Sequence, residues 1–174
     1  MNNIVEGYLK GRILVVIDAA NLESAVKSLN WWIDYTKLRD LFNSSKLVEI
    51  RDYCVHHGTD NQNNFFTFLK RNGFTLITKP LKIIKQEDIL RGDIRKANFD
   101  VEIAVDSMEM IDQFDTLILF SGDSDFDYLI KNLRTKGKRI IVVSAKYHIS
   151  KELISSSNKY IDLKKLKVII KRKE

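Results

Sequence analysis

Cysteine is almost absent from this chain of 174 residues, and proline and histidine are nearly as rare. A single cysteine cannot form a disulfide within the chain, which is typical of proteins kept in a reducing compartment. Cys54 lies within a strand-like run and is interpreted as a small buried hydrophobe. His56 and His57 have no cysteine or histidine partner at zinc-ligand spacing, so we interpret them as surface residues. These scarcities exclude a disulfide scaffold and argue against a zinc centre.

Glycine-rich loops and long apolar runs are also missing. The seven glycines form neither the G-x-G-x-x-G pattern nor the Walker A motif of nucleotide-binding proteins. The first apolar run, in RILVVID, is five residues long, shorter than a signal peptide or a membrane-spanning helix requires. We therefore expect a cytoplasmic protein with no membrane partner.

Positive charge is what the chain has in excess. It carries 29 Lys and Arg against 23 Asp and Glu, a formal net charge of +6. Basic residues concentrate between Lys79 and Lys96 and in the final segment, LKKLKVIIKRKE. A clustered basic surface is typical of proteins that bind a polyanion such as a nucleic acid.

Short β-branched runs alternate with amphipathic segments along the chain. The runs predict buried strands at 12–18, 47–55, 74–79, 116–120 and 139–144, with a last strand near Tyr160. Helices are predicted at 21–29, 34–42 (capped by Asp34), 59–72 (capped by Thr59), 100–111, 126–135 and 151–156. In segment 80–99 the apolar residues follow neither the spacing of a strand nor that of a helix, so it is predicted to be a hairpin or a long loop. This alternation predicts an α/β fold with a mostly parallel sheet and helices on both faces.

Two groups of aromatic residues could in principle stack on bases. Trp31 and Trp32 lie where two predicted helices join, and Phe65, Phe66 and Phe68 lie within one predicted helix. Both groups are interpreted as packing residues rather than as a base-stacking surface.

Acidic residues gather where buried strands end, against the sign of the net charge. Asp18 directly follows ILVVI, Asp123 follows the strand TLILF within SGDSDFDYL, and Asp100 opens an apolar helix. In open parallel sheets, ligands bind beyond the carboxyl ends of the strands, where the strand order reverses. If the strands before Asp18 and Asp123 are neighbours, their carboxylates face each other, and a divalent cation would relieve their repulsion. Oxygen ligands suit Mg²⁺ or Mn²⁺.

Helix capping is the competing explanation for these aspartates. Ser124 and Asp127 match a capping pattern, so Asp127 is interpreted as a cap partner. Asp125 falls in a first helical turn, where the helix dipole favours an anion. Capping does not account for Asp123, which precedes that cap.

Three motifs carry a family resemblance. IDAAN (17–21), DVEIAVD (100–106) and SGDSDF (121–126), in this order and spacing, resemble the NYN domain of the LabA-like proteins, which have a PIN-like nuclease fold. The resemblance covers residues 12–163 and leaves an N-terminal extension, 1–11, and a basic C-terminal tail, 164–174. It implies a three-layer PIN-like sheet with Mg²⁺ or Mn²⁺ at its carboxyl edge, and cleavage of RNA in the active members.

The resemblance also implies roles for individual residues. Asp18, Asp100, Asp123 and Asp125 match the catalytic positions, and the first three of them the metal ligands. Asp106 is assigned a supporting or structural role, because six residues, about 600° of helical rotation, separate it from Asp100. The implied substrate contacts are Asn21, Ser121, Ser124 and Lys96.

Two departures from the family pattern affect how the substrate is positioned. Ala19 stands where the family usually has glycine. Ala97 stands where a lysine is common, with Lys96 one place earlier.

A metal-dependent ribonuclease that acts on single-stranded or structured RNA is the expected function. One alternative is an NYN-like module that binds RNA or a nucleotide without cutting it. Another is a Mg²⁺-dependent phosphatase for small phosphoesters, a chemistry that commonly needs a second aspartate where this chain has Ala20. The sequence does not determine the RNA that is cut or the oligomeric state, and a homodimer stays open.

Overall fold

A computed structural model of the chain describes residues 5–44, 46–84, 94–96 and 98–173, with the backbone alone at 82–84 and 94–96. The strands are β1 (Ile13–Asp18), β2 (Leu47–His56), β3 (Phe74–Pro80), β4 (Lys82–Ile84), β5 (Ile94–Lys96), β6 (Thr116–Phe120), β7 (Arg139–Ser144) and β8 (Lys159–Asp162). The α-helices are α1 (Ala19–Ser28), α2 (Tyr35–Phe42), α3 (Asp60–Arg71), α4 (Asp100–Glu109), α5 (Asp127–Thr135), α6 (Lys151–Ser156) and α7 (Lys167–Ile170). Short 3₁₀ turns occur at Glu6–Tyr8, Ser124–Phe126 and Leu163–Leu166.

Six strands form one sheet in the order β3-β2-β1-β6-β7-β8, and every neighbouring pair is parallel. The chain moves outward in one direction from β1 and in the other from β6, so the strand order reverses between these two neighbours. The predicted α/β class and the adjacency of the strands before Asp18 and Asp123 are confirmed. Strands β4 and β5 pair antiparallel, which favours the hairpin over the long loop, the two alternatives predicted for 80–99, as far as this segment is described.

Helices cover both faces of the sheet, which gives three layers. Ile13, Val15 and Ile17 pack with residues of α1, α2 and α7, whereas Leu14 and Val16 pack with residues of α4, α5 and α6. All six residues of β1 are buried because this central strand is covered on both sides. No helix in the described ranges is long and apolar enough to cross a bilayer.

Side-chain caps fix where several helices begin. Asp34 and Thr59 accept hydrogen bonds from the backbone N–H groups of Lys37 and Gln62, as the sequence predicts. Asp18 caps α1 through the N–H of Asn21, so that helix begins at Ala19, two residues earlier than expected.

The capping pattern assigned to Ser124 and Asp127 is wrong. Residues 124–126 form a 3₁₀ turn, and the side chain that caps it is Asp123, which accepts from the N–H of Asp125. Asp127 instead forms an ion pair with Lys131 one turn along α5, at 2.6 Å. Contrary to the expectation from the sequence, Asp123 therefore does act as a capping residue.

The packing role assigned to the aromatic residues is only partly right. Trp31 is buried, but the Trp32 side chain is 70% exposed. On α3, Phe65 and Phe68 are 37% and 41% exposed, and Leu69 is the residue that reaches the core. These side chains leave an aromatic surface open to solvent, a departure from the packing expected for them.

The basic C-terminal segment is ordered as far as residue 173. Leu166 and Ile170 are fully buried in the core beside α2. Lys171 forms a β-bridge with Ile33, and its carbonyl accepts from Nζ of Lys37 at 2.7 Å. The lysines of this segment therefore belong to a part of the chain that packs against the rest of the domain. The boundary at residue 163 stays a prediction.

Truncation of Ile170 should test whether this segment belongs to the fold. We expect Ile170→Ala to lower the free energy of unfolding by about 2–5 kcal/mol, because it removes a buried side chain and leaves a cavity. Val168→Ala on the same short helix is the matched control, since Val168 is 90% exposed. Urea denaturation measures both. Equal and small losses in the free energy of unfolding for the two variants would indicate that residues 164–174 are not part of the fold.

Candidate active site at the reversal of strand order

Asp18 is the fixed centre of the site. It ends β1, and its side chain is buried. Oδ1 accepts from the backbone N–H of Asn21 at 3.3 Å, and Oδ2 accepts from Nδ2 of Asn21 at 2.8 Å and from the hydroxyl of Ser121 at 3.1 Å. An ionised carboxylate has about four lone-pair positions, so these three bonds leave one for a ligand.

Asn21 and Ser121 also connect the end of β6 to the end of β1 through hydrogen bonds. Ser121 Oγ also accepts from the N–H of Asp123, and the N–H of Gly122 donates to Oδ1 of Asn21, both at 3.3 Å. A Cβ on Gly122 would overlap the carbonyl oxygen of His148. Only glycine is therefore accommodated at this position. The chain that continues from it places Asp123 close to Asp18.

Asp123 and Asp125 lie on the turn that follows. Asp123 is half-buried and caps the turn at 3.0 Å, while Asp125 and Ser124 are exposed. Asn21 and Ser121, which the resemblance presents as substrate contacts, have their polar side-chain atoms bonded to Asp18, Gly122 and Asp123.

Asp100 reaches the same region from α4, as the first residue of that helix. Its Oδ2 accepts from Nδ2 of Asn98 at 2.6 Å. Burial raises the pKa of Asp100, and the negative charges of Asp123, Asp18 and Asp125 raise it further. Four carboxylates from three parts of the chain thus lie close enough to influence one another.

The electrostatics of Asp18 show the same crowding. Burial raises the pKa of Asp18, and the charge of Asp123 adds to that effect, while the hydrogen bonds from Asn21 and Ser121 oppose it. Two aspartates that are both harder to ionise than usual form a site that favours a cation.

The donor set fits Mg²⁺ or Mn²⁺ in charge and in atom type, because all the candidate ligands are carboxylate oxygens. Among the described residues, no three His, Cys, Asp or Glu side chains converge closely enough to hold a metal ion by themselves. Mg²⁺ does not require three converging side chains, because it keeps several waters and is commonly held by one or two carboxylates together with substrate phosphates.

Three comparisons with known proteins identify the family and the fold of this chain. The model of the NYN domain family matches residues 12–164. The low amplitude and bright protein LabA of Synechococcus elongatus is 31% identical over 170 residues, which cover 96% of this chain and 91% of LabA. The chain belongs to the NYN domain family.

A crystal structure of a Vibrio parahaemolyticus protein of unknown function shares the fold of this NYN domain. It superposes with a TM-score of 0.73, is 24% identical, and the match covers 88% of this chain and 93% of that one. NYN domains are typically nuclease or RNA-binding modules, so the family supports a general role in RNA interaction and cleavage.

Asp106 of this NYN domain lies in a different set of contacts from Asp100. Its Oδ2 accepts from the hydroxyl of Tyr53 at 2.8 Å and lies 3.1 Å from Nη2 of Arg51. These bonds fasten α4 to β2. The side chain of Lys96 lies outside the described residues, so its contact with substrate stays a prediction.

Lys79 is a basic residue near the site that the sequence patterns did not single out. At the end of β3, it binds Glu102 at 2.7 Å and lies 4.5 Å from the centre of the Phe99 ring, which directly precedes Asp100. The signal was present in the sequence, since Lys79 directly follows the apolar run FTLIT.

Asp52 is a buried acid that the sequence patterns also missed. It lies in β2 opposite Ile17 and is 2% exposed. Burial, followed by the negative charges of Glu23 and Asp18, raises the pKa of Asp52 to about 7. Its Oδ1 has no hydrogen-bond partner among the described residues. This side chain therefore opposes folding in its ionised form.

The raised pKa of Asp52 predicts how stability depends on pH. The penalty should be absent below the ordinary pKa of 3.8, grow as the pH rises, and be complete above about 7. Asp52→Asn should therefore raise the free energy of unfolding by up to about 4 kcal/mol near pH 8. Near pH 4 it should change little.

Urea denaturation in EDTA at the two pH values measures this difference. Asp40→Asn, at an exposed carboxylate on α2 paired with Arg39, is the control and should shift stability by only a few tenths of a kcal/mol. If Asp52→Asn raises the free energy of unfolding equally at both pH values, the raised pKa of Asp52 is contradicted.

Proposed function

We propose that this NYN domain is a ribonuclease that hydrolyses RNA phosphodiester bonds with Mg²⁺ or Mn²⁺. The observation that carries the proposal is the group of Asp18, Asp100, Asp123 and Asp125 at the reversal of strand order. Burial is the main reason why the pKa values of Asp18 and Asp100 are raised, and the charges of neighbouring aspartates raise them further; a bound cation would oppose both effects. A binding module with no cation would have no use for this crowding.

Asp18, Asp100 and Asp123 are the residues that would hold the ion, directly or through its bound waters. Once bound, a divalent cation neutralises the charge that develops on the phosphoryl oxygens and lowers the pKa of water. Asn21 and Ser121 orient Asp18 through the bonds described above, so we assign them to positioning the carboxylate. Ser124 is exposed beside the cluster and is the serine that can meet the RNA.

Hydrolysis adds water across a P–O bond. The water oxygen bonds to phosphorus, the P–O bond to the leaving oxygen breaks, and one proton moves from the water while the leaving oxygen gains one. Asp125 is the exposed carboxylate of the group, so we assign it the proton from the attacking water. A positioned base of this kind contributes roughly 10²–10⁴-fold to rate.

The basic surface supports RNA as the substrate. The net charge is +6 despite the acidic site, and six lysines and arginines lie between residues 164 and 173. These cations would neutralise phosphates away from the scissile bond, which is the main source of affinity for nucleic acid. A cytoplasmic location is part of the same proposal.

The metal dependence predicts a thermal shift. A ligand that binds only the folded state stabilises it by about 2.7 kcal/mol at a hundredfold excess over Kd. For a chain of this length, millimolar Mn²⁺ should raise Tm by about 5–10 °C relative to EDTA. Differential scanning fluorimetry measures the shift. An unchanged Tm up to ~10 mM Mn²⁺ would count against the site.

Asp123→Asn separates charge from capping. Asparagine is also a good N-cap, so the 3₁₀ turn keeps its acceptor while the cluster loses one negative charge. We expect near-native stability in EDTA, loss of the Mn²⁺ shift, and a fall in RNA cleavage of about 10²-fold or more.

Asp127→Asn is the matched control, four residues further along. It removes a carboxylate paired with Lys131 and should keep both the Mn²⁺ shift and cleavage. A quenched fluorescent RNA and p-nitrophenyl phosphate would be assayed side by side. Turnover of the phosphate ester alone would support a phosphatase. Wild-type RNA cleavage by Asp123→Asn, in a preparation free of contaminating ribonuclease, would overturn the proposal.

A further inference from the structure

A cavity of about 210 Å³ lies next to the carboxylate group, beneath the start of α1. Ala19 and Ala20, the two residues after Asp18, form part of its wall, and Asp52 and Tyr35 form another part. Asp52 pairs in register with Ile17, whereas Asp18 pairs with Tyr53. Successive side chains of a strand alternate between faces, so Asp52 and Asp18 belong to opposite faces of the sheet at the same edge.

The cavity is bordered by a residue with an acceptor that the fold does not use. Asp52 borders it with Oδ1 buried and unpartnered among the described residues, and Glu23 lies at its rim. Leaving a buried carboxyl group without a partner costs stability. Local conflicts of this kind are expected where a residue serves binding rather than folding.

Part of the cavity wall is aromatic. The rings of Tyr35 and Phe65 meet edge to face with centroids 5.2 Å apart, and Phe66 adds a third ring. Flat aromatic side chains bind planar ligands by stacking, the usual way that proteins hold unpaired bases of RNA. Gln62 is not available to a ligand, because its side chain bonds to His57 N and Val55 O.

A wider groove of about 740 Å³ continues outward from the cavity. The two share Ala20, Glu23, Tyr35 and Phe65, and the groove adds the exposed Trp32 and the basic side chains of Lys27 and Arg172. An aromatic platform beside cations is the surface expected to bind a single strand of nucleic acid. The neighbouring part of an RNA strand would leave the cavity along this route.

We propose that this cavity binds one unpaired nucleobase of the RNA beside the cleaved phosphate, with Asp52 accepting a hydrogen bond from the base's amino group. This inference rests on the proposed ribonuclease function and specifies its substrate. The cavity is smaller than the roughly 300–1,000 Å³ of pockets for drug-sized ligands, so it suits a single base rather than a whole nucleotide. A base within a duplex could not enter.

The chemistry of Asp52 predicts which bases are preferred. Cytosine and adenine carry an exocyclic amino group, and uracil does not. A buried acceptor left facing uracil loses its hydrogen bond, so we expect cytidine and adenosine oligomers to bind about tenfold more tightly than uridine oligomers.

Binding is measured without cleavage, by fluorescence anisotropy of short labelled homopolymers of cytidine, adenosine and uridine in Ca²⁺. Asp52→Leu keeps the bulk of the side chain and removes the acceptor. It should bind all three with the affinity that wild type shows for uridine. Its Tm should equal or exceed that of wild type, because an apolar group replaces an unpartnered carboxyl.

Two phenylalanines on α3 provide a matched pair. Phe65→Ala removes a wall of the cavity and should weaken binding of all three homopolymers about fivefold or more. Phe68→Ala removes an equally exposed ring that does not border the cavity and should leave binding unchanged. This pair decides the proposal even if Asp52→Leu does not fold.

Failure of this inference is distinguishable from failure of the ribonuclease proposal. Equal wild-type affinity for the three homopolymers, a preference retained in Asp52→Leu, or equal effects of the two phenylalanine variants would each overturn the base site. Cleavage of RNA in Mn²⁺ that is lost in Asp123→Asn would still support the ribonuclease. If the protein neither binds nor cleaves any RNA, both proposals are wrong.

Discussion

The site depends on the hydrogen bonds that hold Asp18. Asn21 and Ser121 come from the two chain segments on either side of the strand-order reversal, and both bond to this one carboxylate. Because Asn21 also accepts from Gly122 and Ser121 from Asp123, the exit of β6 is placed relative to the exit of β1. Without these bonds, the two strands would still be neighbours, but the aspartates that follow them would have no fixed relation.

Holding these charges together opposes folding, and the sheet supplies the stability that offsets it. Strand β1 is buried along its whole length between two layers of helices, so its apolar side chains anchor the edge where Asp18 lies. Asp52, one register position away on the other face, adds a second unfavourable burial. Proteins commonly give up stability at functional sites in this way.

The sequence was informative where one physical signal dominated. Strands buried on both faces read as continuous apolar runs, so β1, β6 and β7 could be found directly. The same holds for Asp18 at the end of β1 and Asp123 beyond the end of β6. Asp52 was missed because β2 mixes charged and apolar residues, and its burial follows only from which strands flank it. Phe65 and Phe68 were misjudged because a capped helix does not reveal which of its faces meets the core. Asp123 was understood only in part, since the 3₁₀ turn displaced the predicted cap.

Under the two proposals, the two acidic positions would divide the recognition of an RNA strand between its phosphate and its base. Asp18 and Asp52 lie at successive register positions of neighbouring strands but on opposite faces, with the start of α1 between them. In a nucleotide, the phosphate and the base are attached to different carbon atoms of one sugar. A strand lying over the start of α1 can therefore present its phosphate to the cluster at Asp18 and its base to the cavity at Asp52. Since that base must leave any helix to enter, the proposed arrangement would select unpaired RNA.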